Sequence, residues 1–178
     1  MVCVHDRDLA PFVNKSIVLS ALRGYNGLVR ERAVFGQEEQ AMANELVTWS
    51  DDFSVGNGQI DAQHKELVRM TNEFYAGVQM GGILAKVHFM KTIQGAVQYV
   101  KTHFATEEEI MQKVDYPLFA EHKKQHEDFV EEVAQQVEIF EKEDNPDPAG
   151  FVKYLMDWVL QHIAESDKKY APYIAKLE

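Results

Sequence analysis

Four long amphipathic segments, separated by turn signals, constrain the fold of this 178-residue chain more than any other feature. Apolar residues recur in each segment at steps of three and four, a pattern that predicts α-helices with one buried face. No stretch between the segments shows the alternation typical of a β-strand. The sequence therefore predicts an all-α protein, and short connections between such helices favour an antiparallel up-down-up-down four-helix bundle.

The turn signals give the expected bounds of the helices. The first helix is expected over residues 61–80, between an Asn-Gly pair and a Gly-Gly pair. The second is expected over residues 83–114, before a Tyr-Pro pair, and the third over residues 117–145, before a proline-rich breaker. The fourth follows from residue 148, and Pro172 is expected to kink or break it.

Residues 1–44 do not continue this pattern and are expected to form a loosely ordered or surface-lying N-terminal extension to a bundle of residues 45–178. Met42 is a candidate alternative translation start. Five basic and five acidic side chains cancel in residues 1–40, so the whole net charge of −11 belongs to residues 41–178. An acidic surface repels nucleic acid and anionic lipid, which excludes both as expected partners.

Cysteine content and hydropathy indicate a cytoplasmic protein. The single cysteine, Cys3, cannot form an internal disulfide. The longest apolar run, residues 17–22, is far shorter than the ~20 residues that cross a bilayer. Asp6 and Asp8 precede that run, so a secretory signal is not expected.

Seven polar residues interrupt the apolar stripes of the four helices. They are His64, His103, Glu107, His122, His126, His162 and Asp167. Two pairs, His103 with Glu107 and His122 with His126, are four residues apart and so share a helix face. Asp167 fits least well, because five residues after His162 correspond to about 140° of rotation on an α-helix.

A lone histidine on an apolar face is more often a core imidazole bonded to the backbone than a metal ligand. Five inward histidines with two carboxylates instead indicate a metal site in the bundle core. The set is too large for one tetrahedral zinc, and imidazole with carboxylate suits iron. Two ions could share Glu107, Asp167 and a solvent oxygen. Glu108 and Glu109 are expected on a solvated face, and His5 and His88 are assigned no role.

These residues, taken with their spacing, resemble those of the bacterial hemerythrins. The resemblance extends over residues 46–177 and includes all seven ligand positions, with no departure at any of them. The matching motifs are Ile60–His64, His103–Glu108, Tyr116–Pro117, His122 with His126, and Trp158 with His162, Ile163, Asp167 and Tyr170.

The resemblance implies a non-haem di-iron centre that binds dioxygen reversibly. It implies that one iron is held by three histidines and the other by two, with two bridging carboxylates and an oxo or hydroxo bridge. The implied ligands are His122, His126 and His162 for the first iron, His64 and His103 for the second, and Glu107 and Asp167 as bridges. The positions that match the apolar oxygen pocket of the family are Leu67, Phe104, Trp158, Val159 and Ile163, although Phe104 and Trp158 are equally explained by core packing.

Reversible oxygen binding for storage, delivery or sensing is the function that the resemblance implies, rather than an enzymatic activity. Delivery or sensing would add an oxygen-accepting protein partner. The principal alternative is an enzyme on the same bundle, namely a di-iron oxidase, a peroxidase or a nitric-oxide-handling protein. A third is a metal-storage or structural metal bundle. The Glu-x-x-His motifs of ferritin-like di-iron proteins do not occur in the sequence, which favours binding.

Overall fold

The computed structural model describes residues 45–142 and 148–175. Within these ranges the chain contains helices and no strand, and the all-α four-helix bundle is confirmed. The first helix is α1 (Gly58–Met80). The second combines α2 (Gly82–Tyr99), a π-helical segment (Val100–Phe104) and α3 (Ala105–Lys113). The third is α4 (Phe119–Lys142), and the fourth combines α5 (Ala149–Trp158), a π-helical segment (Val159–Asp167) and α6 (Lys168–Ile174). None of the described helices is both long enough and apolar enough to span a bilayer.

The helix termini agree with the turn signals, with small displacements. α1 begins at Gly58, three residues earlier than predicted, because the Asn57 side chain accepts hydrogen bonds from the first free backbone N–H groups of the helix. Gly81 follows α1 with φ of 68°, a conformation that favours glycine. Of the kink or break predicted at Pro172, the break is wrong, since α6 continues past this residue to Ile174. The predicted extension, residues 1–44, and the predicted end of the third helix, residues 143–145, lie outside the described residues.

One position of the inward stripe predicted for the second helix is not buried, although the other positions of that stripe are. The helical repeat predicts Val97 on the inward stripe with Val100, but Val97 is only half-buried, whereas Ala96 and Tyr99 are buried. The π-helical segment that follows α2 forms its hydrogen bonds between residues five apart. This wider turn changes the rotational phase between α2 and α3, which a uniform α-helical repeat cannot anticipate.

Two apolar clusters fill the bundle and lie at different levels along its axis. The larger includes Leu67, Phe74, Phe104 and Phe129, and the smaller includes Ile60, Met111, Tyr116 and Tyr170. α1 and the second helix each contribute residues to both clusters. On α1, His64 lies between Ile60 and Leu67, and on the second helix Glu107 lies between Phe104 and Met111. A polar layer therefore separates the two clusters.

α1 and α2 approach each other closely at Gly77. A Cβ atom on Gly77 would lie 2.2 Å from Cγ and 2.3 Å from Cβ of His88, atoms too near the backbone to move away freely. We expect Gly77→Ala to lower the free energy of unfolding by roughly 1–3 kcal/mol, the usual cost of overpacking.

Gly150→Ala is the matched control, because a Cβ atom on this helical glycine would meet nothing within 4 Å. It should leave stability unchanged or raise it by up to about 1 kcal/mol, since alanine costs less conformational entropy than glycine. Urea unfolding of both variants measures the difference. Equal free energies for the two variants would contradict the close approach at Gly77.

Candidate metal centre

The polar layer is formed by the seven residues predicted to face the bundle interior. Each of their side chains is at most 3% exposed, so the whole set is removed from solvent. The structure thus brings together all seven of the predicted metal ligands. They are His64 of α1, His103 and Glu107 of the second helix, His122 and His126 of α4, and His162 and Asp167 of the fourth helix.

Regular helical spacing accounts for most of this convergence. Glu107 follows His103 by one turn, and Oε1 of Glu107 lies 3.4 Å from Nε2 of His103. His122 and His126 are likewise one turn apart on α4, with ring centroids separated by 4.6 Å. Residues four apart on a helix point in nearly the same direction, so each pair supplies two donors to one location.

Asp167 reaches the layer because the fourth helix is π-helical where an α-helix would carry this residue away. The segment Val159–Asp167 contains both His162 and Asp167. Its hydrogen bonds between residues five apart place these two side chains on one face, with His162 Nε2 3.2 Å from Asp167 Oδ1. The irregularity required for Asp167 to contribute is therefore present.

The donor atoms form two groups, within each of which they lie no more than 4.8 Å from one another. The three-histidine group contains His122, His126, His162 and Glu107. The two-histidine group contains His64, His103, Glu107 and Asp167. Glu107 belongs to both, so the groups are adjacent rather than separate sites.

Each carboxylate presents a different oxygen to each group. Oε1 of Glu107 lies 3.6 Å from Nε2 of His64 and 3.4 Å from that of His103, whereas Oε2 lies 3.4 Å from Nε2 of His122. The Nε2 atom of His126 is closer still to Oε2, at 3.1 Å. Asp167 behaves in the same way, because its Oδ2 lies 3.1 Å from Nε2 of His64 and its Oδ1 lies 3.4 Å from that of His122. This arrangement suits two cations that share two carboxylates.

The donor set also fits iron. Several buried donor atoms have no hydrogen bond of ordinary geometry: Nε2 of His64, His103 and His162, and both oxygens of Asp167. Buried polar atoms without partners are costly, and bound cations would satisfy them together. Imidazole nitrogen combined with carboxylate oxygen is a ligand set that suits iron.

Burial and neighbouring charges raise the pKa of some residues in the polar layer and lower the pKa of others. Burial raises the pKa of Asp167 to about 6, and the charge of Glu107 adds to the increase. Burial lowers the pKa of His64, but the proximity of the Asp167 and Glu107 carboxylates outweighs this effect and raises the pKa to about 9. Burial lowers the pKa of His103 to about 3. A cation must displace the proton from His64, so metal affinity should rise with pH.

Hydrogen bonds outside the donor set orient the histidines. Nδ1 of His103 lies 3.1 Å from Oε1 of Gln63, and Nδ1 of His162 lies 2.8 Å from Oε1 of Gln125. The Tyr170 hydroxyl donates to Oε1 of Glu107. Sequence periodicity missed both glutamines, because each lies one residue before a candidate ligand histidine of its own helix and so points away from the inward stripe.

Glu108 corrects the sequence interpretation. The sequence predicts it with Glu109 on a solvated face, and Glu109 is indeed exposed and paired with Lys113. Glu108 is only 6% exposed, because Lys123 and His126 of α4 cover it. Burial alone would raise the pKa of Glu108, but hydrogen bonds from His126 and Lys123 lower it below its ordinary value.

All five positions of the predicted oxygen pocket are buried in the larger apolar cluster: Leu67, Phe104, Trp158, Val159 and Ile163. Two of them stack on imidazoles of the three-histidine group. The ring centroids of Phe104 and His126 are 3.7 Å apart, and those of Trp158 and His162 are 3.9 Å apart. Tyr99, which the sequence did not single out, stacks on His103 at 4.4 Å.

Comparison with known proteins identifies the family. The model of the hemerythrin HHE cation binding domain matches residues 55–174. The chain belongs to the hemerythrin family. Proteins of this family bind dioxygen at a di-iron centre, and the buried histidine and carboxylate groups described above are able to hold metal. His88, which lies against Gly77, is outside these groups, and His5 is outside the described residues.

Several hemerythrin relatives resemble the chain over most of its length. It is 34% identical to a bacteriohemerythrin of Methylococcus capsulatus over 134 residues, which cover 73% of this chain and 98% of the relative. It is 32% identical to a bacteriohemerythrin of Stenotrophomonas maltophilia over 130 residues, or 72% of this chain and 82% of the relative. A crystal structure of a hemerythrin point mutant superimposes with a TM-score of 0.62 at 27% identity, covering 74% of this chain and 99% of that one.

Proposed function

We propose that this protein binds dioxygen reversibly, as a binding protein rather than an enzyme, at a di-iron centre formed by the seven residues of the polar layer. The observation that carries the proposal is that Glu107 and Asp167 each present one oxygen to each histidine group. In this assignment His122, His126 and His162 hold one iron, His64 and His103 hold the other, and Glu107 and Asp167 bridge them.

The unequal number of histidines in the two groups supports an external ligand on one side only. In this assignment both positions would share Glu107, Asp167 and an oxo or hydroxo bridge, so the two-histidine position would have one protein ligand fewer than the three-histidine position. A reduced di-iron centre supplies the two electrons with which dioxygen is held reversibly. The residues of this chain keep the donors in place and leave that one position for dioxygen.

The apolar pocket supports binding rather than turnover. Leu67 is 1% exposed, and Val159 and Ile163 are fully buried beside the polar layer. Apolar side chains around the site limit the access of water and protons, so bound dioxygen is released unchanged instead of being reduced. Phe104 and Trp158 would complete the proposed oxygen pocket, and their rings stack on imidazoles of the three-histidine group.

Storage, delivery and sensing all draw on the same site, and delivery or sensing would require an oxygen-accepting protein partner. The net charge of −11 disfavours binding to nucleic acid or to anionic membranes, because like charges repel. The single cysteine is in keeping with a reducing cytoplasm, which is the location that we propose.

Optical spectra recorded on the iron-loaded, reduced protein test the proposal. Under air the protein should gain an oxygen-to-iron charge-transfer band, and under vacuum it should lose the band, through repeated cycles and with about two irons per chain. If the protein instead consumes oxygen rapidly with a reductant present and shows no stable oxygenated spectrum, the result would support the enzymatic alternative. One zinc per chain would contradict the di-iron assignment.

Opening the apolar pocket should accelerate irreversible oxidation. Leu67→Ala removes buried apolar volume next to His64 without removing a ligand, and the cavity admits water and protons. We expect the rate of oxidation in air to rise roughly tenfold while iron content stays unchanged. Leu160→Ala is the matched control, since Leu160 is 44% exposed on the fourth helix. Equal oxidation rates in the two variants would show that Leu67 does not protect the site.

A further inference from the structure

Glu108 is a buried carboxylate that the oxygen-binding site does not use directly. Its two oxygens have different partners on α4: Oε1 lies 3.2 Å from Nδ1 of His126, and Oε2 accepts a hydrogen bond of 2.9 Å from Nζ of Lys123. The Glu108 side chain is 8% exposed and that of Lys123 is 31% exposed. The carboxylate is thus held between a metal-ligand candidate and a lysine that reaches solvent.

The contact between Glu108 and His126 makes the two histidine groups electrostatically unequal. The outer nitrogen of His103, in the two-histidine group, meets the neutral amide of Gln63. In the three-histidine group, His162 also meets a neutral amide, that of Gln125. Among these outer hydrogen bonds of the described histidines, the one made by His126 involves an anion. A negative charge therefore lies next to Nδ1 of a histidine in the three-histidine group, on the side of the ring opposite the donor nitrogen.

A carboxylate behind a ligand imidazole has two effects. It accepts a hydrogen bond from the N–H at Nδ1 of His126. This fixes the tautomer and leaves Nε2 free to bind a metal, and that Nε2 already faces Oε2 of Glu107 at 3.1 Å. It also makes the imidazole a stronger electron donor than a neutral amide would. Lys123 opposes the second effect, because its positive charge partly neutralises Glu108.

We propose that Glu108 is a positioning residue that makes the three-histidine position bind Fe³⁺ more strongly than the two-histidine position does. Lys123 limits this difference between the two positions. The inference rests on the proposed di-iron centre. Glu108 would then set which of the two irons is oxidised first, through His126 and without touching either ion.

The test uses Glu108→Gln, which keeps an oxygen that can accept from His126 but removes the charge. We expect roughly a tenfold weaker affinity of the metal-free protein for Co²⁺, a typical cost of losing an outer partner. We also expect the affinity for Fe³⁺ to fall about tenfold more than the affinity for Fe²⁺, which corresponds to a one-electron reduction potential raised by about 59 mV in the iron-loaded protein. Lys123→Met should shift the potential in the opposite direction, because Glu108 then acts with its full charge.

Glu109→Gln and Lys113→Met are the matched controls, since they alter an exposed pair of the same residue types, 2.6 Å apart, on the second helix. The double variant Glu108→Gln/Lys123→Met completes a thermodynamic cycle. If Lys123 acts through Glu108, its replacement should have no further effect on the potential once Glu108 is neutral. Circular dichroism of each metal-free variant verifies that the bundle is folded.

Two results would overturn the inference. One is a potential and a Co²⁺ affinity for Glu108→Gln equal to those of Glu109→Gln. The other is a shift in the same direction for Glu108→Gln and Lys123→Met, which would show a packing role without an effect of charge. The proposed function and the role of Glu108 can fail separately. A wild-type protein without a reversible charge-transfer band would reject the proposed function. The comparison of Co²⁺ affinities does not depend on oxygen and would still decide the role of Glu108.

Discussion

Glu107→Ala should remove iron from both positions of the centre. The Glu107 side chain contacts histidines of both groups, through Oε1 on one side and Oε2 on the other, so in the proposed di-iron centre its loss would take a ligand from each ion at once. We expect iron content to fall from about two per chain to well below one, because each removed ligand typically costs more than the 10–100-fold of an outer partner. Metal analysis after desalting measures this loss.

His103→Ala supplies the comparison that gives the Glu107 result its meaning. His103 belongs to the two-histidine group alone, so we expect the three-histidine position to retain about one iron per chain. Glu109→Ala, at an exposed carboxylate two residues from Glu107, should keep the wild-type iron content. A Glu107→Ala protein that still holds about two irons would refute the shared carboxylate.

Removal of iron should lower the thermal stability of the folded chain substantially. Bound metal stabilises the native state by about 4 kcal/mol when its free concentration is a thousand times Kd. For a chain of this size each kcal/mol corresponds to roughly 2–4 °C, so we expect the Tm to fall by about 8–16 °C after anaerobic chelation. The effect is large because the metal-free layer buries two carboxylates among five histidines.

Glu107→Ala is also the control for the chelation experiment. This variant should show the same Tm before and after treatment, since it has little iron to lose. A wild-type Tm that does not change on chelation would mean that the apolar clusters alone determine stability. Restoration of the Tm when Fe²⁺ is returned would separate metal loss from irreversible damage.

The bundle and most of the centre could be predicted from sequence because both follow the helical repeat. His103 with Glu107, and His122 with His126, fall on inward faces that any regular α-helix would produce. Asp167 departs from that repeat, and for this reason its place in the centre could not be derived from spacing alone. A periodic pattern carries no signal for π-helical hydrogen bonding, which the structure shows in the segment Val159–Asp167.

Burial by another helix explains what the sequence interpretation missed. Glu108 lies in a run of three glutamates, which normally indicates solvent exposure. Its burial depends on α4, whose Lys123 and His126 are contacted across the bundle. Gln63 and Gln125 likewise acquire their partners from neighbouring helices, at separations of 40 and 37 residues along the chain. Such contacts follow from tertiary packing and not from local pattern.

The π-helical segment of the fourth helix is equivalent to one extra residue accommodated within a continuous helix. His162 and Asp167 are five residues apart and still share a face, because the hydrogen bonds between them also join residues five apart. Deleting one residue between them would leave a separation of four, at which an ordinary α-helix places two side chains on one face. This pair of proposed ligands is therefore compatible with two chain lengths, provided that the hydrogen bonding changes with the spacing. In evolutionary terms, the gain or loss of a single codon here alters the type of helix before it alters the ligands.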